Sequence, residues 1–269
     1  MTLRQILMPV FRRFNPGDIR IRHHYTPHTL ALHSFTHRGY WFHGRRREES
    51  TIQRLRALVK PGDCVVDVGG HIGYFTLLFS HLVGPSGRVL VFEPSPTNLP
   101  YLYRNVDKIP NVTVKEIALC DYNGTAELFV EDLTGQNCTL VPDYAVAKAN
   151  IDAAGLTPAL TTVLVKCATL DQAIEAETLS GKPTLIKIDA EGEEFEILEG
   201  MSKTLSAPDL VLMVEISRRH EEVGALLHRH GFSAFSPDGE QLATPARQGL
   251  RNVFFVKGRG LSLLRGSSG

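Results

Sequence analysis

The sequence predicts an α/β protein with a doubly wound, mostly parallel sheet of seven strands and a Rossmann-like connectivity. Three observations carry this expectation. Short apolar runs alternate with amphipathic stretches over most of the 269 residues, the pattern of strands joined by crossover helices. The run Cys64-Val65-Val66-Asp67-Val68 leads straight into Gly69-Gly70-His71-Ile72-Gly73, a glycine-rich turn before a helix. The next apolar run, Val89–Phe92, ends in Glu93, which lies 20 residues beyond Gly73.

The elements follow in order. Residues 1–14 are amphipathic and basic, either a short surface helix that docks or dimerises or a segment that touches a membrane peripherally. Residues 1–50 form an extension of irregular pattern, rich in His23, His24, His28, His33, His37 and His43 and in aromatics. Those histidines have no metal-ligand spacing, so no zinc site is expected. Glu48–Leu58 has helical periodicity and is stopped at Lys60-Pro61-Gly62-Asp63. Residues 51–260 then make the main domain.

Its strands are expected at Cys64–Val68, Val89–Phe92, Val112–Ile117, Thr184–Asp189 and Leu210–Ile216. Its helices are expected at Ile72–Leu82, Pro96–Val106, Glu193–Leu205 and Arg219–His230. Phe232–Phe235 and Asn252–Val256 read as a closing antiparallel pair. A β-hairpin from Thr125–Val130 and Thr162–Cys167 is expected as an insertion in the sheet order, its strands joined by a long lid-like connection. Residues 261–269 read as a flexible tail.

Lys+Arg and Asp+Glu are equal at 29 each, which gives no pull toward nucleic acid or membrane. No apolar run is long enough to span a bilayer, and no signal peptide is evident. Four cysteines without C-x-x-C spacing fit reduced thiols in a cytoplasmic protein.

The glycine loop discriminates between nucleotide ligands. A dinucleotide site needs G-x-G-x-x-G so that a pyrophosphate can sit on the helix N-terminus. Here the first glycines are adjacent and the spacing differs. Asp67, two residues before Gly69, would repel a pyrophosphate at the mouth of the loop but attract the ammonium end of a methionine moiety. Glu93 suits ribose hydroxyls, with Pro94 holding it extended. The reading is S-adenosylmethionine (SAM), with an NAD-dependent oxidoreductase and a catalytically inactive SAM-binding module as alternatives.

A second constellation lies at Lys187-Ile188-Asp189-Ala190-Glu191-Gly192. An apolar strand ends in Asp189, with Glu191 and a glycine before the next helix. Lys187, Asp189 and Glu191 there suit binding of an acceptor and removal of its proton, or offset of the helix dipole. Glu215 ends the following strand and His220 starts the following helix, so both are further candidates. Asp189, Glu191 and Glu215 could hold a divalent cation, though nothing in the spacing requires one.

At these two constellations the sequence resembles the FkbM family of SAM-dependent O-methyltransferases, in Asp67–Thr76, Phe92-Glu93-Pro94, Ala118–Gly124 and Lys187–Glu194. The resemblance implies a class I methyltransferase fold and methylation of a hydroxyl on a sugar, glycan or polyketide-like small molecule. It implies that Asp67, Gly69, Gly70, His71 and Gly73 line the methionine end of SAM. Glu93 and Pro94 would line the ribose, Ala118 the adenine, and Asp189 both donor and acceptor. Asn137 and Thr139 would touch the acceptor. A homodimer is an expected assembly.

Overall fold

The structure, a computed structural model, describes residues 16–131, 138–143, 160–177, 182–244 and 252–265, without the side chains of Arg47 and of residues 263–265. The strands in chain order are β1 (Asp18–Arg22), β2 (Thr29–His33), β3 (Cys64–Val68), β4 (Arg88–Phe92), β5 (Val112–Lys115), β6 (Ala118–Leu119), β7 (Gly124–Glu131), β8 (Leu160–Ala168), β9 (Leu185–Ile188), β10 (Val211–Glu215), β11 (Ser233–Phe235), β12 (Gln241–Leu242) and β13 (Asn252–Val256).

Every residue of β3, β9 and β13 is buried, as expected for strands covered on both faces. The main sheet runs β12-β11-β13-β10-β9-β3-β4-β5 among the described residues. The pairs β3–β4, β4–β5, β3–β9 and β9–β10 are parallel, while β13 is antiparallel to both β10 and β11. Alternate residues feed two cores. Val65, Val91, Leu185 and Met213 face one layer; Val66, Leu90, Ile186 and Leu212 face the other. That two-residue period is the signature of strands. Helices Glu49–Leu58 and Tyr74–Val83 pack in the first layer, and Glu194–Glu199 and His220–Arg229 in the second.

Besides a helix at Arg259–Arg265, which takes up the start of the tail expected from residue 261, the structure departs from the sequence expectations in four places. The sheet has eight strands, because β12 adds to the edge at β11. The hairpin β7–β8 is not inserted in the main sheet; with β6 it forms its own sheet, ordered β6-β8-β7. The helix expected over Glu193–Leu205 breaks into Glu194–Glu199 and Ser202–Leu205. At the break a Cβ on Gly200 would stand 2.3 Å from the Cys120 carbonyl, so the chain passes there as bare backbone.

The fourth departure is the extension. It is regular, with β1 and β2 paired antiparallel and a helix at Arg38–Phe42. Leu30, Leu32 and Tyr40 are buried in the same core as Ile52 and Leu77. Asn105 joins this hairpin to the glycine loop: its Oδ1 accepts from Ala31 N at 2.7 Å, and its Nδ2 donates to Ala31 O at 3.0 Å and Ile72 O at 2.7 Å. The basic segment at 1–14 and most of the connection between β7 and β8 lie outside the described residues. No helix among the described residues is long and apolar enough to cross a membrane.

Candidate active site

The chain leaves β3 toward β4 and β5, then returns to place β9 on the other side of β3. Open α/β sheets bind ligands at such a switch point, beyond the carboxyl ends of the strands. A crevice opens here, lined by Tyr40, Glu48, Gly69, Gly70, His71, Tyr74, Phe75, Lys187, Asp189 and Glu215. It brings together Gly69, Gly70, His71, Lys187, Asp189 and Glu215 from the sequence-derived set.

The glycines are needed for close packing as well as for torsion. Gly69 has φ +74, and a Cβ there would stand 1.9 Å from the Asp189 carbonyl. A Cβ on Gly70 would stand 2.2 Å from Val91 Cγ2. Gly73, at φ +89, starts helix Tyr74–Val83 from the left-handed region. His71 also lies in that region, at φ +50, where a side chain is uncommon.

Asp67 is not at the mouth of the loop. It is fully buried beneath it. Its Oδ2 accepts from Thr76 Oγ1 at 2.6 Å, and its Oδ1 stands 3.2 Å from Lys187 Nζ, a charge contact and not an aligned hydrogen bond. Lys187 Nζ also donates to Val68 O and Gly69 O, both at 3.1 Å, and lies 3.6 Å from Asp189 Oδ2. Burial alone would push the Lys187 pKa down; the Asp67, Asp189 and Glu215 carboxylates outweigh it and hold the ammonium above the ordinary lysine range. Asp67 therefore acts on the crevice through Lys187, which carries its charge to the underside of Gly69.

Glu93 is also buried, and it fastens two loops. Its Oε2 accepts from His71 N at 2.7 Å; its Oε1 accepts from Ser95 N at 2.9 Å and Asn98 Nδ2 at 3.2 Å. Burial pushes its pKa up, against the pull of the Ser95 and His71 amides. Neither Glu93 nor half-buried Pro94 is a lining residue of the crevice. Ala118 is buried in β6 in a small cluster with Cys120 and Cys167, also away from the lining.

The turn after β9 is held from both sides. Glu191 is left-handed at φ +49, and its carbonyl accepts from Thr139 Oγ1 at 2.7 Å. Glu194 accepts from Gly192 N at 2.8 Å and Ser217 N at 3.2 Å, which ties this turn to the one after β10. Burial raises the Glu194 pKa to about 7. Thr139 is itself buried, and its neighbour Cys138 donates from Sγ to Ser95 Oγ at 3.3 Å. Asn137 lies outside the described residues.

Two expectations separate from the rest. His220 opens helix His220–Arg229 but is not a lining residue. The adjacent Arg219 takes a left-handed backbone, pairs with Glu196 at 2.8 Å and lies 3.6 Å over the Phe195 ring. Among the described residues no group of three or more His, Cys, Asp or Glu could hold a metal ion, so Asp189, Glu191 and Glu215 do not converge into a cation site. Sequence reasoning missed Tyr40 and Glu48, which reach the crevice from the extension. No motif marks either of them; only the tertiary packing of the hairpin does.

A parallel sheet in this order with a reversed late strand, and a glycine loop at its switch point, defines a class I methyltransferase fold. The chain belongs to the FkbM methyltransferase family: the methyltransferase FkbM domain matches residues 67–235. It is 29% identical over 212 residues to methyltransferase sdnD of Sordaria araneosa, covering 68% of this chain and 81% of that protein. It is 30% identical over 196 residues to the 31-O-demethyl-FK506 methyltransferase FkbM of Streptomyces tacrolimicus, covering 65% and 74%. It is 25% identical over 171 residues to the hexuronic acid methyltransferase AglP of Haloferax volcanii, and the match spans 62% of each chain. The crystal structure of methyltransferase FkbM from Methylobacillus flagellatus overlays with a TM-score of 0.44 at 16% identity, over 76% of this chain and 50% of that one. Family membership makes this chain a methyltransferase and overturns the NAD-dependent oxidoreductase alternative.

Proposed function

We propose that this chain transfers a methyl group from SAM to a hydroxyl of a sugar, glycan or polyketide-like small molecule. The observation that carries the proposal is the crevice itself, where the glycine loop after β3 faces Asp189 after β9 and Glu215 at the end of β10. The donor set suits SAM, a sulfonium amino acid. The carboxylate of Glu215 offsets positive charge, and the ammonium of Lys187 and the polar groups of Tyr40 and His71 suit an α-carboxylate.

Gly69, Gly70, His71 and Gly73 would form the floor under the amino-acid end, and Glu93 with Pro94 the ribose side. Ala118 would mark the adenine side. When bound, SAM supplies the electrophilic methyl. The protein holds the acceptor in line with it and takes the acceptor hydroxyl proton on a carboxylate oxygen of Asp189, with Glu215, Glu191 and Thr139 around the acceptor. The relatives support the acceptor class: one is named for a hexuronic acid and another for a demethylated FK506.

Calorimetry with SAM and NAD in separate titrations tests the cofactor. Binding of SAM alone is expected, and binding of NAD without SAM overturns it. Turnover of a hydroxylated acceptor is then expected by mass spectrometry as a gain of one methyl. SAM binding without transfer to any sugar or polyketide acceptor would overturn the acceptor class.

A further inference from the structure

Tyr40 lies outside the family domain, which begins at residue 67, yet it lines the crevice. Its hydroxyl is 2.9 Å from His71 Nδ1, and the two rings stack with centroids 5.8 Å apart at 21°. His37, also from the extension, meets the His71 ring edge-on at 5.2 Å. Burial pushes the His37 pKa down to about 4, so the His37 ring is neutral at physiological pH. The His71 backbone amide is fastened to Glu93. The residue is thus held at its ring and its backbone in a left-handed conformation that L side chains disfavour. Strain retained in a site by surrounding contacts points to a use for the side chain.

We infer that Tyr40 is a positioning residue for the methyl donor: it fixes the His71 imidazole so that its Nε2–H binds the α-carboxylate at the amino-acid end of SAM. This rests on the donor reading of the crevice and assigns it a residue from the N-terminal extension. With the Tyr40 hydroxyl donating to Nδ1, the ring proton sits on Nε2, which is buried beside the crevice in this structure. The amino-acid end belongs on this side because Glu93, the ribose candidate, touches His71 only through its backbone. His71 instead lines the crevice together with Gly69, Gly70 and Asp189.

The test compares two nucleosides by calorimetry on the full chain. S-adenosylhomocysteine carries the amino-acid end; methylthioadenosine lacks it. Tyr40→Phe keeps the ring stack and removes only the hydroxyl. His71→Asn keeps a residue type that tolerates the left-handed backbone. Each variant is expected to weaken S-adenosylhomocysteine roughly tenfold, the size of one lost hydrogen bond to a charged group. Methylthioadenosine affinity should be unchanged. Equal losses for both nucleosides, or no loss for either, overturn the inference while leaving the donor site in place. If the wild-type chain binds neither nucleoside, the donor reading of the crevice fails first and the inference with it.

Discussion

Asp67 and Lys187 are direct register partners on the neighbouring parallel strands β3 and β9, and their charged groups meet 3.2 Å apart with side-chain exposures of 0% and 2%. The pair sits under the glycine loop at the point where the sheet reverses its winding. Neither charge has water to fall back on. The loop conformation and the polarity of the crevice floor both depend on the two staying together.

Removing both partners should therefore cost less than the two single truncations added together. Lys187→Met alone leaves a buried, uncompensated carboxylate, with an expected loss of about 3–5 kcal/mol in urea unfolding. The double variant Asp67→Asn, Lys187→Met should lose clearly less than the sum of the singles, a coupling on the order of 1–3 kcal/mol. Additive losses in that cycle would show that the two groups are held independently.

Asp189 should separate binding from turnover. Its backbone supports Gly69, but its carboxylate faces the crevice with 29% of the side chain exposed. Asp189→Ala is expected to leave S-adenosylhomocysteine affinity within about threefold. It should reduce kcat by about 10²–10⁴-fold, the range for a lost general base. Unchanged kcat with weakened donor affinity would move Asp189 from the acceptor to the donor.

His23 should make stability fall in acid. Its Nε2 donates to Tyr74 O at 3.1 Å while its Nδ1 accepts from Tyr25 N at 3.2 Å, an arrangement open only to the neutral ring. Burial lowers its pKa from 6.5 to about 4. A depressed histidine pKa means that the unfolded chain binds the extra proton first. The stabilisation is complete above pH 6.5 and is lost as the pH falls toward 4. His23→Gln can make both hydrogen bonds but does not titrate. Its stability deficit against wild type should shrink by on the order of 2–3 kcal/mol across that window. A deficit that stays constant with pH would refute this assignment.

Much of the sheet was legible because β3, β4, β9 and β10 are each a short apolar run closed by an acid or a glycine turn. Burial on both faces leaves that mark in the residues themselves. The separate sheet of β6, β7 and β8 was not legible: the hairpin pattern of Thr125–Val130 and Thr162–Cys167 shows that two strands pair, not which third strand they join. The site was half legible. Gly69, Gly70, His71 and Asp189 announce themselves by spacing. The burial of Asp67 does not, because its partner Lys187 lies 120 residues away and only the strand order brings them together. The hairpin β1–β2 was hidden for a related reason. His23 and His37 serve there as buried polar residues satisfied by backbone groups, and a run of histidines gives no sign of that.

The amide of Asn105 spans the seam between the N-terminal hairpin and the loop that precedes Gly73. It satisfies Ala31 on one side and Ile72 on the other with a single side chain. A fragment cut at the family boundary would leave this carboxamide facing nothing where β2 had been. It would also bare the apolar flank that Leu30 and Leu32 cover. A folding fragment of this polypeptide is thus expected to begin before residue 67, where the family domain starts.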